Sequence, residues 1–201
     1  SQNYLFELKQ VTKKLNISIV SAGFDPISKL KDIPNNPKQR YKLMTQDMPF
    51  GGKLSLDMMY RTCGTQLNID FNSENDFIKK FKVVNSIVPI AIALFANSSI
   101  VEKKNSNYLS YRSKVWQSTS RAGLPKLFLE NLNFEKYADF VTNFPILFLK
   151  HNDQYISGRK YIFKDFMDGK IDEIDNRLPT QEDLATHLST IFTENRLKKY
   201  I

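Results

Sequence analysis

The clearest hydrophobic and polar pattern in the chain is a strict alternation from Cys63 to Phe71. In an extended strand, one side would carry the apolar positions and the other would carry Gln66, Asn68 and Asp70. We therefore predict a long strand from Leu54 to about Phe71. The pattern leaves open whether the polar row faces solvent or lines a binding site.

The rest of the pattern predicts a mixture of helices and strands. Ser73 with Asp76 resembles the start of a capped helix, the longest in the chain, and Pro89 should kink it. We expect helices at 2–15, 40–48, 74–96, 134–143, 161–167 and 181–192, and further strands at 17–22, 108–116 and 146–150. Because no regular βαβ period is present, the predicted fold is α+β, a mostly antiparallel sheet with flanking helices.

Composition narrows the class of protein. The 201 residues are 41% hydrophobic, enough for one sizeable core, and contain no apolar run of the roughly 20 residues that span a membrane. The single cysteine excludes an internal disulfide, and two histidines make a zinc site unexpected. We predict a cytoplasmic protein without a signal peptide.

The net charge of +8 raises the question of an anionic partner. The 29 basic residues are spread along the chain among 21 acidic ones, which is typical of a solvated surface. Attraction to an anionic substrate such as a nucleotide is the second interpretation. A basic module that binds nucleic acid is a third, supported by the net charge alone.

The sequence contains neither a GxGxxG nor a Walker loop, and no Ser-His-Asp or Cys-His pairing. Arginines beside aromatic residues are its more distinctive chemistry. On the predicted 108–116 strand, Arg112 and Trp116 share a face, and Arg121 follows in a polar turn. A rigid cation beside flat rings suits a carboxylate attached to an apolar body. A salt-bridged arginine and a core tryptophan remain the alternative.

Several motifs together resemble the plant and proteobacterial type of glutamate–cysteine ligase. They are SLDMMYRTCGTQLNIDFN at 55–72, PIAIALFANS at 89–98, LSYRSKVW at 109–116, LPTQEDLATHLSTIF at 178–192 and RLKKY at 196–200. The resemblance covers essentially the whole chain. It implies a carboxylate–amine ligase fold similar to that of glutamine synthetase, with the chain forming a single partial domain over 1–201.

The implied reaction is the first step of glutathione synthesis. ATP would phosphorylate the γ-carboxylate of glutamate, and the amine of cysteine would then displace phosphate. The implied cofactors are ATP and Mg²⁺, because both steps move charge among oxygen atoms. The implied partners are glutamate, cysteine and ATP, with neither nucleic acid nor membrane. A related ligase that uses another amine acceptor is the alternative within the same class.

The resemblance also implies roles for individual residues. Arg61 and Arg196 would approach substrate or phosphates as catalytic residues. Arg121 would bind a glutamate carboxylate, and Phe140 stands where the family usually has a tyrosine near cysteine. The implied substrate-binding set is Arg112, Trp116, Arg121, Phe140, Gln66 and Asn68.

Three departures from the family pattern qualify this expectation. Ile92 replaces a usual threonine, and Phe140 lacks the tyrosine hydroxyl, so the acceptor amine stays open. Gly158 and Glu173 occupy the positions of the cysteine pair that forms a redox switch in plant members. Without that pair, we expect a bacterial type of enzyme that does not depend on thiols.

The family's chain is roughly twice as long as this one. We therefore expect an internal segment whose partners include the remaining segments of the full-length ligase. No cluster of glutamates in this sequence suits magnesium, so we predict no metal ligands here. The segment alone should be inactive.

Overall fold

A computed structural model describes residues 2–123 and 131–197. Eight α-helices lie in these ranges: α1 (Gln2–Lys14), α2 (Gln39–Asp47), α3 (Ser55–Arg61), α4 (Glu74–Leu94), α5 (Tyr111–Gln117), α6 (Phe134–Thr142), α7 (Phe163–Met167) and α8 (Gln181–Ser189). The strands are β1 (Ile100–Val101), β2 (Lys104–Asn105), β3 (Ala122–Gly123), β4 (Phe148–His151), β5 (Gln154–Ser157) and β6 (Phe192–Thr193).

These strands form three two-stranded sheets. The β1–β2 and β4–β5 pairs are antiparallel hairpins, whereas β3 and β6 pair in parallel although they are far apart in sequence. The mixed helix-and-strand class is thus confirmed. A larger, mostly antiparallel sheet is absent from the described residues.

The predicted strand at 54–71 is wrong. Ser55–Arg61 is helix α3, and residues 63–71 have no regular secondary structure. The backbone N–H of Cys63 donates to the carbonyl of Gly23, but no strand within the described ranges pairs with the residues that follow. Leu67, on the predicted apolar side, is 85% exposed. Alternation alone does not make a strand when no neighbour supplies the hydrogen bonds.

The predicted strand at 108–116 is also wrong, because Tyr111–Gln117 forms helix α5. The hydroxyl of Ser110 accepts a hydrogen bond from the backbone N–H of Ser113 and caps the helix. The Ser-x-x-Ser spacing was the missed signal. Residues 17–22, predicted as a strand, likewise have no regular secondary structure.

Most predicted helices are confirmed, with their capping residues. The Ser73 hydroxyl accepts from the backbone N–H of Asp76 at 3.2 Å and begins α4, which continues through Pro89. Thr180 and Asp183 form a reciprocal capping box at the start of α8. The cap residues fix where these helices begin because they satisfy N–H groups that have no partner within the helix.

Buried apolar side chains of the described residues form three clusters that hold the elements together. The first joins α4 to α6, the second joins α3 and α5 to β4, and the third packs α7 against β4. Phe192 of β6 packs on the second cluster, and Leu188 of α8 packs on the first. The C-terminal motif at 178–192 therefore packs against both the first and the second cluster.

The position of Gly158 leaves no room for a side chain. A Cβ atom there would lie 2.4 Å from Cγ2 of the buried Ile146. Glu173 instead accepts a hydrogen bond from the Tyr161 hydroxyl at 2.5 Å, and its other oxygen lies 3.8 Å from Nζ of Lys160. Packing around Gly158 is consistent with the absence of a cysteine there.

Substituting Gly158→Ala should therefore destabilise the protein by roughly 1–3 kcal/mol, because Ile146 must move. Urea unfolding measures the change in the free energy of unfolding. Gly51→Ala is the matched control, since the nearest atoms to its Cβ would be two rotatable hydroxyls, Ser120 Oγ at 2.9 Å and Ser55 Oγ at 4.0 Å. Equal stability of the two variants would contradict the packing described for Gly158.

Candidate functional site

The parallel pair β3–β6 brings together two distant motifs. The backbone N–H of Phe192 donates to the carbonyl of Arg121 at 3.1 Å, and that of Glu194 donates to Gly123 at 3.3 Å. The arginine- and tryptophan-containing segment of α5 and β3 thereby lies beside the C-terminal motif. Five of the predicted site residues contact this junction directly or through one neighbour: Arg112, Trp116, Arg121, Phe140 and Arg196.

Arg121 is a buried cation, with only 7% of its surface exposed. Its Nε and Nη2 donate to the backbone oxygen and hydroxyl of Thr190 at 3.0 and 3.1 Å, and its guanidinium lies over the Phe144 ring. Burial lowers the pKa of Arg121 to about 10. No carboxylate of the described residues lies within ion-pair distance, and Nη1 has no hydrogen-bond partner among them. The geometry thus leaves one nitrogen for an anionic ligand.

Arg112 and Trp116 lie one turn apart on α5. The guanidinium sits 5.0 Å from the centre of the indole ring, and Nε donates to the backbone oxygen of Cys63 at 2.8 Å. Burial lowers the pKa of Arg112. The indole N–H of Trp116 is buried and lacks a partner among the described residues, while the ring packs edge-on against Phe192. This face offers a cation, a flat ring and an unused donor.

Glu194 is a functional candidate that sequence reasoning missed. Burial raises the pKa of its carboxyl group, an effect that nearby Arg112 partly offsets. The two do not form a direct ion pair within 4 Å. Its place between β6 and the RLKKY motif, as an acid in a basic segment, was the signal that could have identified it.

His187 was missed as well, and it supports Arg121 indirectly. Its Nε2 donates to the backbone oxygen of Val141 at 2.8 Å, its ring stacks on Phe163, and its backbone oxygen accepts from the Thr190 hydroxyl. Thr190 in turn holds Arg121. Burial lowers the pKa of His187 to about 4, so the imidazole is neutral at pH 7.

Phe140 and Arg196 lie at the edges of the junction. Phe140 packs against Phe144, the ring beneath Arg121, with centroids 5.4 Å apart. Arg196 donates from Nη1 to the backbone oxygen of Ile191 at 2.6 Å. Phe140 therefore packs on aromatic side chains, and Arg196 is anchored at one nitrogen within the described residues.

The structure does not bring the other predicted residues to this junction. Arg61 is buried in an ion pair with Asp57 at 2.9 Å, and its other side-chain contacts within the described residues are with Glu102 and Phe24, neither of them a predicted site residue. Gln66 and Asn68 are exposed on the segment without regular secondary structure. No contact among the described residues links them to the junction, so their roles stay predictions.

Residues 2–123 and 131–197 contain neither a metal-binding cluster nor a membrane-spanning helix. No group of three or more His, Cys, Asp or Glu residues there is arranged to hold a metal ion. None of the helices described is long and apolar enough to cross a membrane.

Comparison with known proteins places this geometry in context. Residues 2–201 match the model of the Glutamate-cysteine ligase family 2 (GCS2). The chloroplastic glutamate–cysteine ligase of Nicotiana tabacum is 45% identical over 99% of this chain, and chloroplastic glutamate–cysteine ligase A of Oryza sativa subsp. japonica is 44% identical. The Arabidopsis thaliana enzyme is 41% identical.

The chain spans about 40% of the length of these relatives: 39% for the tobacco and Arabidopsis proteins and 41% for the rice protein. Because they are plant chloroplast enzymes, they do not support the predicted bacterial type. Cytoplasmic location stays a prediction.

The lowered pKa of His187 makes stability depend on pH. The fold accommodates the neutral imidazole, so its contribution is complete above the unfolded pKa of 6.5 and is lost as pH falls toward 4. The loss should reach about 3 kcal/mol by pH 4.

Urea unfolding between pH 7 and pH 4 measures this loss, with His187→Gln expected to flatten the dependence between pH 6.5 and 4. His151→Gln is the control, because His151 is only partly buried. A pH dependence that both variants share with the unmodified protein would exclude His187 as its source.

Proposed function

Because the chain belongs to the glutamate–cysteine ligase family 2, we propose that it provides the amino-acid-binding part of an ATP-dependent ligase. That ligase would join L-glutamate to L-cysteine, giving γ-glutamylcysteine in the first step of glutathione synthesis. The observation that carries the proposal is the buried Arg121, which has no ion-pair partner among the described residues, inside a chain that matches the family from residue 2 to 201.

Arg121 is suited to hold a glutamate carboxylate. A guanidinium that is removed from water costs several kcal/mol unless an anion or hydrogen-bond acceptors compensate it. Thr190 supplies acceptors for two of the nitrogens, and a carboxylate at Nη1 would supply the missing charge. Since Thr190 fixes the guanidinium before binding, little entropy is lost when the substrate arrives.

Arg112, Trp116 and Glu194 would complete the amino-acid site. The indole ring provides an apolar surface, and its N–H provides one donor. Arg112 attracts a second carboxylate, while Glu194 provides the negative charge that an ammonium group requires. Opposite charges near one ring suit a zwitterionic substrate.

ATP would supply the phosphoryl group that activates the γ-carboxylate. Arg196 is anchored by one nitrogen, so its remaining nitrogens are suited to phosphate oxygens. The described residues do not fit a Mg²⁺ site because no acidic cluster is present among them. We therefore assign no step to the metal in this segment, and propose that other segments of a longer ligase hold it.

A different amine acceptor is the second candidate function. Phe140 packs between Tyr137 and Phe144, so an apolar surface stands where the family usually has a tyrosine. An acceptor that needs no hydroxyl contact would bind here as well as cysteine does.

Replacing Arg121 by lysine should raise the KM for glutamate at least about tenfold, because lysine keeps the charge but not the planar fork. The KM for ATP should change little. Steady-state kinetics of the full-length protein measure both values. Arg40→Lys is the control, as Arg40 is exposed over Tyr41. An unchanged KM for glutamate would remove Arg121 from the site.

The choice of acceptor is tested by ADP release in the presence of glutamate and a panel of amines. We expect cysteine to be the best acceptor, and Phe140→Tyr to lower its KM by adding a hydroxyl donor. A different amine with a higher kcat/KM would favour the second candidate function instead.

A further inference from the structure

Three consecutive residues that follow β6 are each hydrogen-bonded to a different part of the fold. They are Asn195, Arg196 and Leu197, and we call them the Arg196 segment. The segment has no regular secondary structure, so no neighbouring strand fixes its position. Its position depends instead on individual hydrogen bonds to the rest of the molecule.

The side chain of Asn85, in α4, holds the first residue of the segment. Its Nδ2 donates to the backbone oxygen of Phe81 at 2.7 Å, and its Oδ1 accepts from Nδ2 of Asn195 at 2.8 Å. A backbone oxygen can only accept, so the amino group of Asn85 must face Phe81 and its oxygen must face Asn195. The orientation of both amides is therefore determined, and their bond joins positions 110 residues apart.

The hydroxyl of Tyr137, in α6, holds the last residue of the segment. It accepts a hydrogen bond from the backbone N–H of Leu197 at 2.9 Å, and the Leu197 side chain packs on the cluster that contains Tyr137. Burial raises the pKa of Tyr137, while the bond from Leu197 and the positive charge of Arg196 act in the opposite direction. The hydroxyl is thus neutral at pH 7 and close enough to Arg196 to be affected by its charge.

Arg196 lies between these two attachments. The backbone on one side of it is held to α4 and on the other side to α6, while its own Nη1 donates to the backbone oxygen of Ile191. A long side chain loses rotamer freedom when it binds a ligand. Fixing the backbone beforehand lowers the entropy that must be lost when the guanidinium binds an anion.

We propose that Asn85 and Tyr137 are positioning residues for the nucleotide, because they hold the Arg196 segment where the guanidinium meets the phosphate oxygens of ATP. The inference rests on the role of Arg196 given under the proposed function. Both residues act through Arg196 rather than by contact with ATP. Loss of either attachment leaves the charge of Arg196 in the protein but lets the segment move. The contacts of Arg121 with Thr190 are separate from these bonds, so the glutamate site should be spared.

Replacing Tyr137 by phenylalanine in the full-length protein removes one hydroxyl and keeps the ring in its cluster. The KM for ATP should rise at least about fivefold, the effect of one hydrogen bond. The KM for glutamate and kcat should change little, because the lost interaction is with ATP and is made equally in the ground state and the transition state. Tyr161→Phe is the matched control: its hydroxyl bonds Glu173 rather than the Arg196 segment, so both KM values should stay the same. A purely structural effect of Tyr137 would instead change kcat and both KM values together.

The second attachment is tested without changing Tyr137. Asn85→Ala and Asn195→Ala should each raise the KM for ATP. The double variant should raise it no further than the larger single effect, because both substitutions delete the same bond. Arg196→Gln, measured in parallel, should raise the KM for ATP at least about tenfold by removing a charge-assisted contact.

The Arg196 variant separates the two possible failures. If Arg196→Gln leaves the KM for ATP unchanged, the phosphate role of Arg196 is wrong and the positioning role is wrong with it. If Arg196→Gln raises the KM for ATP but Tyr137→Phe does not, the positioning role alone is overturned. Effects of Asn85→Ala and Asn195→Ala that multiply in the double variant would overturn it as well.

Discussion

The hydrogen bonds from Arg121 to Thr190 join positions 69 residues apart and hold the candidate site together. They place the residue before β3 against Thr190, two residues before β6, and the short parallel pair of these strands follows that contact. On the other side, Thr190 is held by the backbone oxygen of His187 at the end of α8. The guanidinium is therefore both a structural link and a buried positive charge at the junction.

Arg121 and Arg61 are both buried, but they differ in whether a carboxylate compensates their charge. Arg61 has carboxylates of Asp57 and Glu102 near one nitrogen, so its charge is compensated within the chain. Within the described part of the chain Arg121 has only neutral acceptors, and burial lowers its pKa to about 10. An uncompensated buried charge is unfavourable for stability and is therefore characteristic of a site that awaits a ligand.

The sequence predicted helices well where a capping residue marked their start. Ser73 and Thr180 begin α4 and α8 as expected. Strands were predicted poorly, because alternation at 63–71 and 108–116 does not reveal whether a neighbouring strand or a helical cap will satisfy the backbone. The family resemblance predicted Arg121 as a site residue, but the hydrogen bonds that Thr190 accepts from it are visible only in the folded structure. Glu194 and His187 were not predicted as site residues, because their burial arises from contacts with residues distant in sequence.

The central claim is that Arg121 receives a glutamate carboxylate. A crystal structure of the full-length protein with glutamate bound would test it most directly. We expect a carboxylate oxygen within about 3.2 Å of Nη1, with both contacts to Thr190 retained. Glutamate bound elsewhere, with Arg121 contacting only Thr190, would contradict the claim and leave this arginine a structural residue.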